Sequence, residues 1–186
     1  GDVNFANLET VVTDRNDLTG SLKLFGFRTH PEGVKQLLGM GFNVFSTANN
    51  HSMDYGLDGA SETLKQLKLL GVVHAGLGAT RAEAAAAHVI ERRGIRFAFG
   101  GVGLGGAGYG SLSRNETRPG QLVPNSERDV DEVTQSLVAS DADVKVFSAH
   151  YGTEFEVYSA PADRAMFRRV LASGVDMVVG HHQHVV

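Results

Sequence analysis

The sequence contains no cysteine, no long apolar run and no excess of basic residues. Without cysteine the chain forms no disulfide and no thiolate metal site, so any metal must be held by histidine, asparagine and carboxylate side chains. No stretch approaches the roughly 18 apolar residues of a membrane-spanning helix. The net charge of −4 is unlike the basic balance of most nucleic-acid-binding domains, so we expect no nucleic-acid partner.

What is present describes an ordinary globular chain. Its 186 residues are 42% hydrophobic and 20% charged, a composition typical of one soluble domain. Gly1 begins almost directly on a strand-like segment, and the chain stops two residues after a histidine cluster. We therefore interpret residues 1–186 as a single domain that is truncated at both ends.

Helical and strand-like segments alternate along the chain, which predicts an α/β fold. Periodic apolar positions and glycine stops predict helices at 31–41, 57–70, 81–88, 127–139 and 161–173. Short apolar runs predict strands at 3–9, 42–47, 72–78, 88–91, 96–100, 143–149 and 175–180. Residues 100–128 are rich in glycine, serine and asparagine and are predicted to form a long loop, which in a compact domain tends to be functional or disordered.

Metal-capable side chains follow four of the predicted strands. They are Glu9, then Asn50 and His51, then His150, and finally His181, His182 and His184. Ligands bind at the carboxyl ends of strands in α/β sheets, so these groups are expected to converge. Imidazole, carboxylate and amide oxygen together favour a divalent transition metal, Mn, Fe or Zn.

Each of these residues also has a purely structural interpretation. Single histidines at strand ends are commonly structural, and we assign His30, His74 and His88 in that way. The HHQH run at 181–184 could be a solvated tail, and Asp54 could cap the helix predicted near Leu57. The joint occurrence of the groups, rather than any one of them, favours a metal site.

Four segments carry a resemblance to a known family. NLET (7–10), ANNHSMDYG (48–56), HYGTEF (150–155) and VVGHHQHVV (178–186) resemble the poly-γ-glutamate capsule biosynthesis (CapA-type) family. That family is similar to calcineurin-like metallophosphoesterases. The resemblance implies a two-sheet sandwich flanked by helices (αββα), with one or two metals at the strand ends.

The resemblance also implies roles for individual residues. The implied metal ligands are Glu9, Asn50, His150, His182 and His184. His51 would protonate the leaving group, and Asp54 would hold His51 in the required tautomer. Glu154 and His181 would be ligands or would support the ligands. The upstream aspartate of the wider superfamily has no counterpart before Gly1, and glutamate stands at position 9 where aspartate is usual, so one metal is expected to be held better than the second.

The function implied is metal-dependent hydrolysis, in which a metal-activated water attacks a phosphate ester or a γ-glutamyl amide bond. The alternative is a non-catalytic subunit that handles polymer during poly-γ-glutamate synthesis or export. An anionic polymer would need local positive charge, for which Arg114 and Arg118 in the long loop are the candidates. By the same resemblance we expect a cell-envelope location on the extracytoplasmic face, anchoring through a segment outside this chain, and membrane-bound capsule synthesis subunits as partners.

Overall fold

The computed structural model describes residues 1–20, 24–104 and 117–185. Within these residues the helices are α1 (Pro31–Gly39), α2 (Gly56–Leu69), α3 (Arg81–Ala85), α4 (Glu127–Ala139) and α5 (Pro161–Ala172). The strands are β1 (Phe5–Asn7), β2 (Val11–Val12), β3 (Arg28–Thr29), β4 (Val44–Ser46), β5 (Val73–Ala75), β6 (Leu77–Gly78), β7 (His88–Arg92), β8 (Ile95–Gly103), β9 (Gly120–Gln121), β10 (Val144–His150) and β11 (Met177–His181). The α/β prediction is confirmed. None of the described helices has the length and apolar character needed to cross a bilayer.

Two sheets organise the chain. The first sheet has the order β1-β4-β5 and is wholly parallel. The second has the order β11-β10-β8-β7, parallel except for the antiparallel pairing of β7 with β8. The two strands of that antiparallel pair correspond to the predicted strands 88–91 and 96–100. Two short pairs, β2–β3 and β6–β9, lie beside the main sheets.

The two sheets share a core, and further apolar clusters lie on their other sides. Phe5 of the first sheet stacks on Phe99 of the second with ring centroids 5.8 Å apart. Val44 belongs to this shared core, whereas its neighbour Phe45 packs with residues of α1 and α2. Alternate residues of a strand point to opposite faces, so β4 contributes to both layers. On the second sheet, Phe147 packs with residues of α4 and α5 in the same manner.

Several predicted boundaries differ from those observed. The segment 72–78, predicted as one strand, divides at Gly76 into β5 and β6, which pair with different partners. Gly76 has φ +103°, a backbone conformation that a continuous strand cannot contain. The predicted loop 100–128 is also not wholly loop, because β8 continues to Gly103 and β9 lies within it. Residues 105–116 lie outside the described part of the chain.

Ala48, two residues after β4, packs between two glycines. Gly76 directly follows β5 of the first sheet, and Gly103 is the last residue of β8 in the second. A Cβ atom on Gly76 would lie 2.5 Å from the Ala48 Cβ, and a Cβ on Gly103 would collide with the Ala48 backbone. Glycine at both positions therefore permits the close approach. This packing fixes the loop that carries Asn50 and His51 against both sheets.

Two histidines assigned a structural role meet where the sheets adjoin. His74 in β5 and His88 in β7 stack with ring centroids 5.5 Å apart. Burial, reinforced by the neighbouring His88, lowers the pKa of His74 from 6.5 to about 4. His30 is instead the N-cap of α1 and accepts a hydrogen bond from the Glu32 amide.

Acidification is therefore expected to destabilise the metal-free protein. The pKa of His74 is 6.5 in the unfolded chain and about 4 in the folded chain. As the pH falls, the unfolded state therefore binds a proton at His74 before the folded state does, which favours unfolding. Between pH 7 and pH 5 His74 alone should remove about 2 kcal/mol of the free energy of unfolding. His74→Gln should flatten that pH dependence by a similar amount in urea denaturation with chelator present. His30→Gln, which changes an exposed histidine, is the control, and an unaltered slope in His74→Gln would contradict the expectation.

Candidate functional site

The metal-capable side chains meet at the carboxyl ends of parallel strands. Glu9 lies two residues after β1, and Asn50 lies four residues after β4. His150 closes β10 and is the register partner of His181, which closes β11. The strand ends border an open depression of about 380 Å³ whose lining includes Glu9 and His182. The four chain segments identified in the sequence are thus brought to one edge of the molecule.

Glu9, His150 and His182 form the more buried of two candidate ligand groups, called ligand groups below. One potential ligand atom from each residue lies within 4.8 Å of the others. His150 Nε2 lies 3.6 Å from Glu9 Oε1 and 2.8 Å from Asn50 Oδ1. Because His150 has no exposed surface, this nitrogen is directed into the cluster rather than to solvent. The arrangement offers two imidazoles, a carboxylate and an amide oxygen to one cation.

A second ligand group lies beside the first and shares a residue with it. Glu154, His182 and His184 also place one ligand atom each within 4.8 Å of one another. His182 has φ +110°, His184 +55° and the neighbouring Phe155 +65°, a conformation uncommon for residues with a Cβ. Such strain is found where a surrounding structure enforces it, often at functional sites. The Gln183 side chain donates to the Tyr151 carbonyl and the Gln183 carbonyl accepts from the Phe155 amide, both at 2.8 Å, so this segment is held in place rather than being a solvated tail.

The chemistry of the side chains fits a divalent cation. His182 Nδ1 is buried and lacks a hydrogen-bond partner among the described residues, a costly condition that a bound cation would relieve. Burial, with the nearby His181 and His182, lowers the pKa of His150 to about 2. Burial, with His182, lowers the pKa of His181 to about 4. A neutral imidazole has a lone pair to offer, and this nitrogen and oxygen donor set suits Mn, Fe or Zn.

His51 and Asp54 form a hydrogen-bonded pair at the edge of the cluster. His51 Nδ1 lies 2.6 Å from Asp54 Oδ2, and Asp54 is fully buried. The Phe27 amide also donates to Asp54 Oδ2 at 2.7 Å, and the Phe27 ring lies 4.1 Å from the His51 ring between centroids. His51 Nε2 faces Glu9 Oε1 at 3.9 Å. The aspartate and phenylalanine thus hold the ring with its second nitrogen toward the ligand group.

The two adjacent asparagines have different tasks. Asn49 is fully buried, and its side-chain amide donates to the Leu8 carbonyl at 2.9 Å while its Oδ1 accepts from the His51 amide at 3.1 Å. The Gln121 side chain donates to the Asn49 carbonyl at 2.8 Å. Asn49 therefore shapes the loop, and Asn50 is left to face His150.

The substrate-binding role of two arginines stays a prediction, and other residues of the site carried no strong sequence signal. Arg118 is exposed two residues before β9, and Arg114 lies outside the described residues. Asn7 was not identified, although its amide donates to Glu9 Oε2 at 2.9 Å. Its position two residues before Glu9, on the same side of an extended chain, was the available signal. Phe27 belongs to no motif, and no sequence signal connects it with His51.

Comparison with known proteins supports the resemblance seen in the motifs. A family model described as Bacterial capsule synthesis protein PGA_cap matches residues 1–186. A probable polyglutamine synthesis accessory protein of Mycobacterium tuberculosis is 32% identical over 193 residues, covering 98% of this chain and 50% of the relative. The PGA biosynthesis protein CapA of Bacillus subtilis is 30% identical over 183 residues, covering 97% of this chain and 47% of the relative.

The capsule biosynthesis protein CapA of Bacillus anthracis is 28% identical over 157 residues, covering 83% of this chain and 38% of that protein. The chain thus spans about half of the length of the curated relatives it matches, or less. The family match, in contrast, extends over every residue of the chain. The chain therefore belongs to the bacterial capsule synthesis protein family PGA_cap.

Proposed function

We propose that this chain is a metal-dependent hydrolase domain of capsule biosynthesis that cleaves a phosphate ester or a γ-glutamyl amide bond. The observation that carries the proposal is the meeting of two ligand groups with a histidine–aspartate pair. Glu9 is within 3.6 Å of the ligand His150 and within 3.9 Å of His51, so ligand and proton donor face one space. Metal-dependent hydrolysis uses a cation site beside a positioned proton donor. A purely structural metal site does not need the proton donor.

The cation would be held by Glu9, Asn50, His150 and His182, with Glu154 and His184 available to a second ion. When bound, a divalent cation supplies Lewis-acid chemistry, lowering the pKa of a water and stabilising negative charge on the substrate. Asn7 holds Glu9 in place through a 2.9 Å hydrogen bond. The proposed ligands thus come from separate strand ends whose positions are fixed by the two sheets.

His51 is the proposed general acid. In its protonated form it donates the Nε2 proton to the leaving oxygen or nitrogen as the bond to phosphorus or carbon breaks. His51 keeps its Nδ1 proton, and the Nδ1–H group donates a hydrogen bond to Asp54 Oδ2 at 2.6 Å. Asp54 therefore fixes the tautomer and the direction of the ring, so that the neutral imidazole left after donation is held for the next cycle.

The fold and the relatives give the proposal its biological setting. Two sheets that share a core, with helix-bearing clusters on their other sides, support a metallophosphoesterase-like architecture of the αββα type. The names of the relatives refer to polyglutamine synthesis, PGA biosynthesis and capsule biosynthesis. We infer a role in poly-γ-glutamate capsule synthesis at the cell envelope, with an anionic polymer as substrate and membrane-bound synthesis subunits as partners.

One observation favours the alternative of a non-catalytic polymer-handling or partner subunit. Phe155, Val157 and Tyr158 are 72%, 64% and 81% exposed on the segment that carries Glu154. Exposed apolar residues grouped in this way are typical of binding surfaces. A chain that used this surface for assembly could keep the ligand groups without turnover.

The test is turnover by protein stripped with chelator and reloaded separately with Mn, Fe or Zn. Two substrates cover the proposal: bis(p-nitrophenyl) phosphate for phosphoester cleavage and a γ-glutamyl oligopeptide for amide cleavage. We expect hydrolysis of one of them that disappears with chelator and returns with the metal. Metal binding without turnover of either substrate would favour the alternative, and failure to bind any of the three metals would refute the proposed centre.

A further inference from the structure

A continuous chain of hydrogen bonds leads from the ligand groups into the core between the two sheets. His150 Nδ1 lies 2.8 Å from His181 Nδ1, and His181 Nε2 lies 2.8 Å from Ser148 Oγ. Ser148 Oγ in turn lies 2.8 Å from Ser46 Oγ, a bond that connects β10 with β4 in the other sheet. Ser46 and Ser148 are 0% and 1% exposed, so their hydroxyl groups are not solvated from the surface.

The positions of the ring protons along this chain decide whether His150 can bind a cation. A ring nitrogen binds a cation only through its lone pair. His150 Nε2 faces Glu9 and Asn50, so the His150 proton must then be on Nδ1, where it donates to His181 Nδ1. His181 must in consequence carry its proton on Nε2 and donate to the Ser148 hydroxyl, which donates to Ser46.

The same distances accommodate the opposite order. His150 Nε2–H then donates to Asn50 Oδ1 at 2.8 Å, and His150 Nδ1 accepts from His181 Nδ1–H. The Asn7 side-chain amide, 3.3 Å from His150 Nδ1, is a second donor for this order. His181 Nε2 accepts from the Ser148 hydroxyl. Each ring carries one proton in both orders, so the interconversion moves the proton of each ring between its two nitrogens and conserves the total.

We propose that His181 and Ser148 are positioning residues that set the tautomer of His150, and that a cation entering at His150 Nε2 reverses the proton order along the chain. The inference rests on the proposed function, because it takes His150 Nε2 as a cation ligand. The parallel register that pairs His150 with His181 holds the two rings side by side. Removing the outer partner of a metal-binding histidine typically weakens metal affinity by about 10- to 100-fold.

Histidine tautomers can be measured directly. In protein labelled with ¹⁵N at histidine, long-range proton–nitrogen correlations distinguish Nδ1–H from Nε2–H rings. Without metal we expect His150 as Nε2–H and His181 as Nδ1–H. At saturating Zn²⁺ we expect the reverse for both rings. His74, which lies outside the chain of bonds, should keep its tautomer throughout and serves as the internal reference.

Two serine variants separate the relay from simple packing. Ser148→Ala leaves His181 Nε2 without its partner in both orders, but only the cation-bound order then contains a buried N–H without an acceptor, so Zn²⁺ affinity should fall about 10- to 100-fold. Ser46→Ala removes a hydroxyl of the same size one step farther away. It leaves His181 its acceptor on Ser148 and removes only the next hydrogen bond along the chain, so its Zn²⁺ affinity should fall less than that of Ser148→Ala. Should Ser148→Ala fold poorly, His181→Phe keeps a ring in place and removes both nitrogens, with an expected loss at least as large.

The outcomes distinguish this inference from the function on which it rests. Zn²⁺ binding with unchanged tautomers of His150 and His181, or undiminished affinity in Ser148→Ala, would overturn the relay and leave the metal centre standing. Equal losses in Ser46→Ala and Ser148→Ala would also overturn it, since they would indicate packing alone. A wild-type chain that binds no Zn²⁺ would refute the metal centre and the relay together.

Discussion

Replacement of His51 by alanine is expected to lower kcat by about 10²- to 10⁴-fold while the metal content stays at the wild-type level. That range is what a positioned general acid typically contributes, equivalent to about 3–5 kcal/mol of barrier. Metal is retained because His51 lies 3.9 Å from Glu9 and belongs to neither ligand group. The measurement is steady-state turnover together with elemental analysis of the same preparations.

The companion variant Asp54→Asn tests the orientation of His51. The substituted amide side chain would still fill the buried position, but it would not offer the charged acceptor that now lies 2.6 Å from His51 Nδ1. We expect a smaller loss of kcat than in His51→Ala, with an altered pH–rate profile. In both variants, hydrolysis of a substrate with a good leaving group such as p-nitrophenolate should slow less than hydrolysis of an alkyl ester. The reason is that p-nitrophenolate leaves with little need for protonation. Undiminished turnover of both substrates in His51→Ala would exclude the assigned role.

Metal binding should depend most strongly on His182. This residue is the only member common to the two ligand groups among the described residues. His182→Ala therefore removes a ligand from both groups, and we expect its Zn²⁺ affinity to fall by more than about 100-fold. Changes to residues that only hydrogen-bond to a metal ligand typically cost about 10- to 100-fold. His184→Ala removes a ligand from the second group alone, and the ion held by Glu9 and His150 should remain.

Elemental analysis and equilibrium dialysis of untagged protein measure both effects. The double variant Asn50→Ala/His182→Ala should contain no stoichiometric metal. Loss of metal in this variant would show that the metal found in the wild-type protein is bound at these residues. His30→Ala is the matched control, because this histidine caps α1 away from the ligand groups. Equal metal loss in His184→Ala and His182→Ala would instead indicate that the second group holds the only ion.

Local sequence signals were sufficient for much of the fold. The predicted helix 127–139 coincides with the observed α4 (Glu127–Ala139), whose start the structure shows to be fixed by a capping box of Ser126 and Asp129. Apolar spacing located α2 to within a residue at each end. The pairing of β6 with β9 could not be predicted, because the two strands have two residues each and lie more than 40 residues apart in sequence. Strands this short carry no periodicity.

The candidate site was predictable where chemistry and strand ends coincide. Glu9, Asn50, His150 and His182 each lie at the carboxyl end of a strand or within four residues after it, and parallel strands bring these ends to one edge. Residues that support these groups from behind carry no comparable signal. Ser46 and Ser148 read as small residues within core strands, and only the packing of the two sheets brings their hydroxyl groups to 2.8 Å. Phe27 reaches His51 from a loop without recognisable motif.

The close contacts around Ala48 have a consequence for how this centre can be altered. The loop that presents Asn50 and His51 has no slack on either side, because Gly76 and Gly103 both meet Ala48. Lengthening that loop, or replacing either glycine with a larger residue, would change both the distance between the sheets and the direction in which the loop presents Asn50 and His51. His150 and Glu9 lie on opposite sheets, so their distance would change as well. The geometry of the candidate site is therefore not transferable as a loop graft, whereas residues 155–158 are exposed and lie outside these glycine contacts.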